Sequence, residues 1–139
     1  MRVKCLAREL TNEQRKGTDA PDLFKPRYQV TIDKIYLVLG ISFFVRSSVF
    51  GNCCLFTIQD DAGRPVSIPS VMVEITDDRI SRFWLAKACD ELGLTLWPQE
   101  FYKDFFHDRV TDGKQDELGI FKAVIGKLEA EFISEKNAS

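Results

Sequence analysis

The alternation of apolar and polar positions divides the chain into a β-rich part up to about Thr76 and a helical remainder. Val3, Cys5 and Ala7 alternate with their neighbours and predict a short strand. In LTNEQRKG, Thr11 and Gln14 have capping-box spacing and Gly17 is a stop signal, which predicts one or two helical turns. TDAPDLFKP then reads as a loop pinned to the core by Leu23 and Phe24. Tyr28, Val30 and Ile32 alternate with Gln29, Thr31 and Asp33, a strand pattern that runs on into IYLVLGISFFV. That run is apolar on both faces, so it predicts a central strand, with Gly40 where the chain bends. CCLFTI and VSIPSVMVEI flank a turn rich in Asp60, Asp61 and Gly63, which predicts a hairpin. Pro69 cannot donate to a ladder and places the second of these strands at an edge or a bulge.

After Thr76 the period lengthens. Ile80, Phe83, Trp84, Ala88 and Leu92 lie at helical spacings, with Ser81 as a cap and Gly93 as a stop. A helix is the first reading of this segment, and a strand continuing through Arg82, Phe83, Trp84 and Leu85 is the alternative. LWPQEFYKDFFHD, residues 96–108, reads as a further helix with Pro98 in its first turn. At 100° per residue, Trp97, Phe101 and Phe105 fall within about 80° and form its buried stripe, while Tyr102 and Phe106 lie further round, so that either the helix is buried on a broad face or these two rings are partly exposed. Leu118, Phe121, Val124, Ile125, Leu128 and Phe132 mark one face of a C-terminal helix, in which Gly119 and Gly126 are expected to admit close packing. The predicted architecture is a single α+β domain over residues 1–139. It consists of a bent antiparallel sheet, or small partial barrel, with the C-terminal helix packed on it and a frayed tail from about Ser134.

Composition narrows the function classes. With 45% apolar residues and a net charge of −2, the chain is too apolar to be disordered. Its longest apolar run, Ile35 to Val45, is too short to span a bilayer, which takes roughly 20 residues. The N-terminus lacks the apolar stretch of a secretory signal, and the expected location is the cytoplasm. Cys5, Cys53, Cys54 and Cys89 contain no CxxC pair. Adjacent strand residues face opposite ways, so Cys53 and Cys54 cannot chelate one metal together, and all four are expected to be reduced core residues.

His107 is the single histidine of the chain and is expected near the end of a short helix, solvated or capping. Cys89, His107 and Asp104 supply the residue types of a nucleophile, base and orienting acid, but their spacing matches no such arrangement. There is no GxSxG, HExxH, GxxxxGK[ST] or GxGxxG. Neither metal nor cofactor is expected, and the chain does not read as an enzyme.

Charge is more informative. Residues 90–117 hold three Lys/Arg against eight Asp/Glu, a balance of −5, whereas residues 1–50 hold nine against five, a balance of +4. The acids crowd the aromatic stretch. Free nucleic acid is a poor partner for such a segment, because binding phosphates depends on many Lys/Arg contacts. A basic protein fits it, steered by charge and anchored by aromatic rings. The candidate partner-binding residues are Glu100, Tyr102, Asp104, Phe106, Asp108 and Asp112.

The order of "VTIDKIYLVLGISFF", a Gly-turn hairpin, "IPSVMVEITDDRISRFW" and "LWPQEFYKDFFHD" resembles small bacterial immunity proteins encoded beside polymorphic toxins, including those of contact-dependent growth inhibition systems. The likeness covers roughly residues 28–108 and lies in layout and aromatic placement. It implies an immunity protein that binds and blocks a cognate toxin domain, such as a nuclease, by covering its basic cleft. Two alternatives stand beside it: a general protein-interaction domain of the cytosol, and a small hydrolase or isomerase using His107 and nearby carboxylates.

Overall fold

The structure, a computed structural model, describes residues 1–9, 28–47, 51–89 and 93–138. The readings of a helical turn after Thr11 and of a loop carrying Leu23 and Phe24 lie outside the described residues. The fold is α+β: two antiparallel sheets with C-terminal helices packed against them.

The strands are β1 (Arg2–Cys5), β2 (Ile35–Leu37), β3 (Gly40–Ser47), β4 (Gly51–Gln59), β5 (Pro65–Pro69), β6 (Val73–Asp77), β7 (Trp84–Cys89) and β8 (Gly93–Pro98). One sheet has the order β2-β1-β6 and the other β5-β4-β3-β8-β7. The chain turns from the first sheet to the second between β2 and β3, and two consecutive amides mark the corner. Val38 N–H donates to Met1 O at 3.0 Å and Leu39 N–H donates to Thr57 O at 2.7 Å, one bond to each sheet. Their side chains part in the same way, Val38 into the core between the sheets and Leu39 into the core under the helices. Gly40 follows because the site admits nothing larger: a Cβ there would meet Trp97 Cδ1 at 2.7 Å and Leu96 O at 3.1 Å. A second crossing, through the 3-10 turn Ser70–Met72, joins β5 to β6. A third, from β6 to β7, returns the chain to the larger sheet, so the expected bent sheet is divided into two sheets that the chain crosses between three times.

The β4–β5 hairpin forms as its turn chemistry predicts. Asp60 Oδ1 accepts from the amides of Ala62 (3.0 Å) and Arg64 (2.9 Å), and Gly63 adopts φ 82°, open to glycine at little cost. β5, with a proline at each end, lies at the sheet edge.

Two predicted elements are corrected. Residues 28–32 form no strand, and Ile32, one of the apolar positions of the predicted alternation, is exposed. The cause is long-range: Asp61 accepts from Thr31 Oγ1 (2.6 Å), Lys34 Nζ (2.8 Å) and the Tyr36 hydroxyl (2.8 Å), gathering this segment into a loop against the hairpin turn. Asp33 sits in that loop at φ 71°, a conformation that ends a strand. The second correction concerns residues 80–89, where the helix is not formed and the alternative holds from Trp84 on, Arg82 and Phe83 lying in a turn. Trp84–Cys89 is a strand paired with β8 over six residue pairs, from Trp84 opposite Pro98 to Cys89 opposite Gly93. Ser81 Oγ accepts from Phe83 N–H within a turn and caps no helix. Cross-strand pairing outweighs a helical spacing this short.

Two helices follow, α1 (Phe106–Thr111) and α2 (Gln115–Ala138). α2 presents the predicted face, with Phe121, Val124 and Leu128 buried against Leu39, Phe101, Phe106 and Val110. Gly119 and Gly126 do not serve close packing: a Cβ at either would meet open space. Among the described residues no helix is long and apolar enough to cross a membrane.

Candidate functional site

The aromatic and acidic stretch is not one helix. β8 carries the chain to Pro98, a 3-10 turn spans Gln99–Tyr102, and α1 begins only at Phe106. Between them Phe105 takes φ 59°, ψ 24°, in the left-handed region. A left-handed residue breaks helical phase, and the expected burial of the two phenylalanines is exchanged. Phe105, predicted inward with Trp97 and Phe101, is 71% exposed, whereas Phe106, predicted to reach a partner, is 1% exposed. Phe106 is thereby corrected from a surface residue to a core residue, stacked on Phe101 with ring centroids 5.3 Å apart.

The rings beneath form a braced platform. Trp97 Nε1–H donates to Ser42 Oγ at 3.1 Å, tying β8 to β3. Tyr102 lies 5.2 Å from the Trp97 ring, and its hydroxyl donates to Leu85 O at 2.7 Å and meets Thr95 Oγ1 at 2.9 Å. Tyr102 is thus half-buried and its polar tip is used within the fold; Lys87 Nζ stands 4.7 Å from its ring. His107 packs edge-on against Trp97 (5.2 Å), Phe101 (5.0 Å) and Phe106 (5.9 Å), neither solvated nor capping as expected. Burial among these rings lowers its pKa below the ordinary histidine value, with Asp108 opposing the shift, so the neutral imidazole is favoured.

The charges sort into two groups. Glu117, buried at the start of α2, accepts from Lys103 Nζ at 3.2 Å and Arg109 Nη1 at 3.4 Å. Its carboxyl is held below the usual range, mainly by the Lys103 ammonium. Glu100 pairs with Lys127 at 3.2 Å, and its other oxygen is buried without a hydrogen-bond partner among the described residues. In contrast, Asp104, Asp108 and Asp112 are exposed and, among the described residues, have no hydrogen-bonded or ion-paired side-chain partner. Asp108 and Asp112 lie one helical turn apart, joined by Asp112 N–H to Asp108 O at 2.9 Å. Asp104 thus lies on the turn before α1, Asp108 in its first turn and Asp112 at its C-terminal end. Of the three cations of the segment, Lys103 and Arg109 pair with Glu117 rather than with these outer carboxylates.

Cys5 is buried, its thiol donating to Ala7 O at 3.2 Å and pushed up in pKa by desolvation; Cys54 is half-buried against the core between the sheets. The side chains of Cys53 and Cys89 lie outside the described residues. Among the described residues no three His, Cys, Asp or Glu side chains gather in a metal-binding group. Two cavities lie away from the acidic turn. One of about 180 Å³ lies between Asp77, Arg79, Leu128 and Phe132, and one of about 380 Å³ is lined by Arg8, Tyr28, Gln29 and Asp61. His107 borders neither.

The sequence missed both the exposed Phe105 and the Glu117 clamp. Glu117 carried a usable signal, since it lies one residue before Leu118, where the apolar face of α2 begins. Phe105 carried none, because a left-handed phenylalanine has no compositional mark. No family model, curated protein or solved structure matches the chain.

Proposed function

We infer that this protein acts by binding, as an immunity protein that covers a basic surface of a cognate toxin domain in the cytoplasm and blocks it by occlusion. The observation that carries the reading is the sorting of charge at the α1 turn: Lys103 and Arg109 are turned to Glu117, while Asp104, Asp108 and Asp112 face solvent unpaired. Three unpaired carboxylates at one turn give a negative field that steers a cationic partner, and the braced rings beneath supply the rigidity that limits the entropy lost on binding. A nuclease cleft, built to attract phosphate, presents the complementary potential. The same surface would serve a general interaction domain with another basic partner. The chemistry around His107 favours packing over proton transfer, since a ring desolvated among three aromatic rings has its charged form disfavoured.

The test is protection in cells. Co-expression with a toxin domain from the neighbouring upstream gene, where that gene encodes one, is expected to restore growth. The folded variant Asp104→Lys/Asp108→Lys/Asp112→Lys is expected to lose that protection. Full protection by the folded triple variant would refute the acidic turn as the binding face.

A further inference from the structure

Cations placed over aromatic rings recur in this fold, and several are completed by a carboxylate. Lys34 Nζ stands 5.0 Å from the Tyr36 ring and 2.8 Å from Asp61. The Arg79 guanidinium lies 4.2 Å from the Phe132 ring and 2.6 Å from Asp77. Lys127 Nζ stands 4.7 Å from the Phe83 ring and 3.2 Å from Glu100. Each is a cation held jointly by a ring face and an anion.

Phe105 has the ring and the anions without the cation. Its ring is the most exposed of the large apolar side chains described, at 71%, and it follows Asp104 and precedes Asp108 in the first turn of α1. Among the described residues no cation lies over it, and the two nearest in sequence, Lys103 and Arg109, are held by Glu117. An exposed phenylalanine gains little from burial, so a packing role does not account for it.

We propose that Phe105, with Asp104 and Asp108, receives an arginine side chain of the basic partner, its guanidinium stacked on the ring and paired with a carboxylate. Charge complementarity calls for a cation, and the ring selects which one. Guanidinium is planar, more weakly hydrated than ammonium, and able to stack and to pair with a carboxylate at once, whereas lysine offers a strongly hydrated point charge. This inference rests on the binding reading above and adds the identity of the anchoring contact.

Titration with nona-arginine and nona-lysine peptides at low ionic strength tests it, since the two carry equal formal charge. The wild-type protein is expected to bind nona-arginine tighter by roughly two- to fivefold, the range of an exposed cation–π contact. Phe105→Ala should abolish that preference by weakening nona-arginine binding more than nona-lysine binding, while Phe105→Tyr retains it. A wild type without arginine preference, or a preference that survives in Phe105→Ala, overturns the proposal. The triple variant Asp104→Lys/Asp108→Lys/Asp112→Lys separates the two claims. Loss of both peptides there, with no arginine preference in the wild type, leaves the acidic face standing and removes only the role of Phe105. Unchanged binding of both peptides by the triple variant removes the acidic face itself.

Discussion

Phe105 and Phe106 are joined by one peptide bond and lie in opposite environments, the first ring 71% exposed and the second stacked on Phe101 in the core. The left-handed backbone at Phe105 makes this reversal, and it turns the acids beside it outward on a rigid base.

Truncation should show the asymmetry directly. Phe106→Ala removes a buried ring and is expected to cost about 3–5 kcal/mol in urea unfolding. Phe105→Ala should change stability by no more than about 0.5 kcal/mol. Phe105→Gly, which relieves the left-handed conformation, should not fall below Phe105→Ala in stability. Equal losses for Phe105→Ala and Phe106→Ala would contradict the placement of the two rings.

The two glycines of α2 should be improvable. Gly119→Ala and Gly126→Ala each fill open space on an exposed helical face and should stabilise by up to about 1 kcal/mol. Gly40→Ala should destabilise, because its new Cβ would lie 2.7 Å from Trp97 Cδ1. Thermal denaturation of the three variants distinguishes the positions, and a gain at Gly40 would show that the corner between the sheets is looser than described.

His107 sets a pH dependence. Its folded pKa lies below the ordinary value near 6.5, so between the two values the unfolded chain binds more protons than the folded one. The contribution is fully present above about pH 6.5 and is lost as pH falls through the folded pKa. The difference in melting temperature between wild type and His107→Gln, followed from pH 8 to 5.5, should therefore move against the wild type on acidification. A difference that is flat or moves the other way would mean that the imidazole is not desolvated.

Legibility in the sequence followed the range of the interactions that decide each element. The β4–β5 hairpin was readable because Asp60 and Gly63 act within five residues, and α2 was readable because six apolar residues repeat on one face. Residues 84–89 were ambiguous, since Phe83, Trp84 and Ala88 fit a helix until β8 supplies partners for a strand. The expected strand at residues 28–32 failed on contacts between Thr31 and Asp61, thirty positions apart. The site was legible in its charge and not in its geometry. Counting acids located the turn, and only the backbone at Phe105 decides which ring and which carboxylates face a partner.

The association rate with the toxin domain, measured by stopped flow, tests the central claim most directly. Raising salt from about 0.01 to 0.15 M shortens the Debye length from roughly 30 to 8 Å and should slow the wild type steeply. At the lower salt, Asp104→Lys/Asp108→Lys/Asp112→Lys should associate about tenfold more slowly or worse with its fold intact. A rate that is flat with salt and unchanged in the folded triple variant would contradict the account and place the binding surface elsewhere on the molecule.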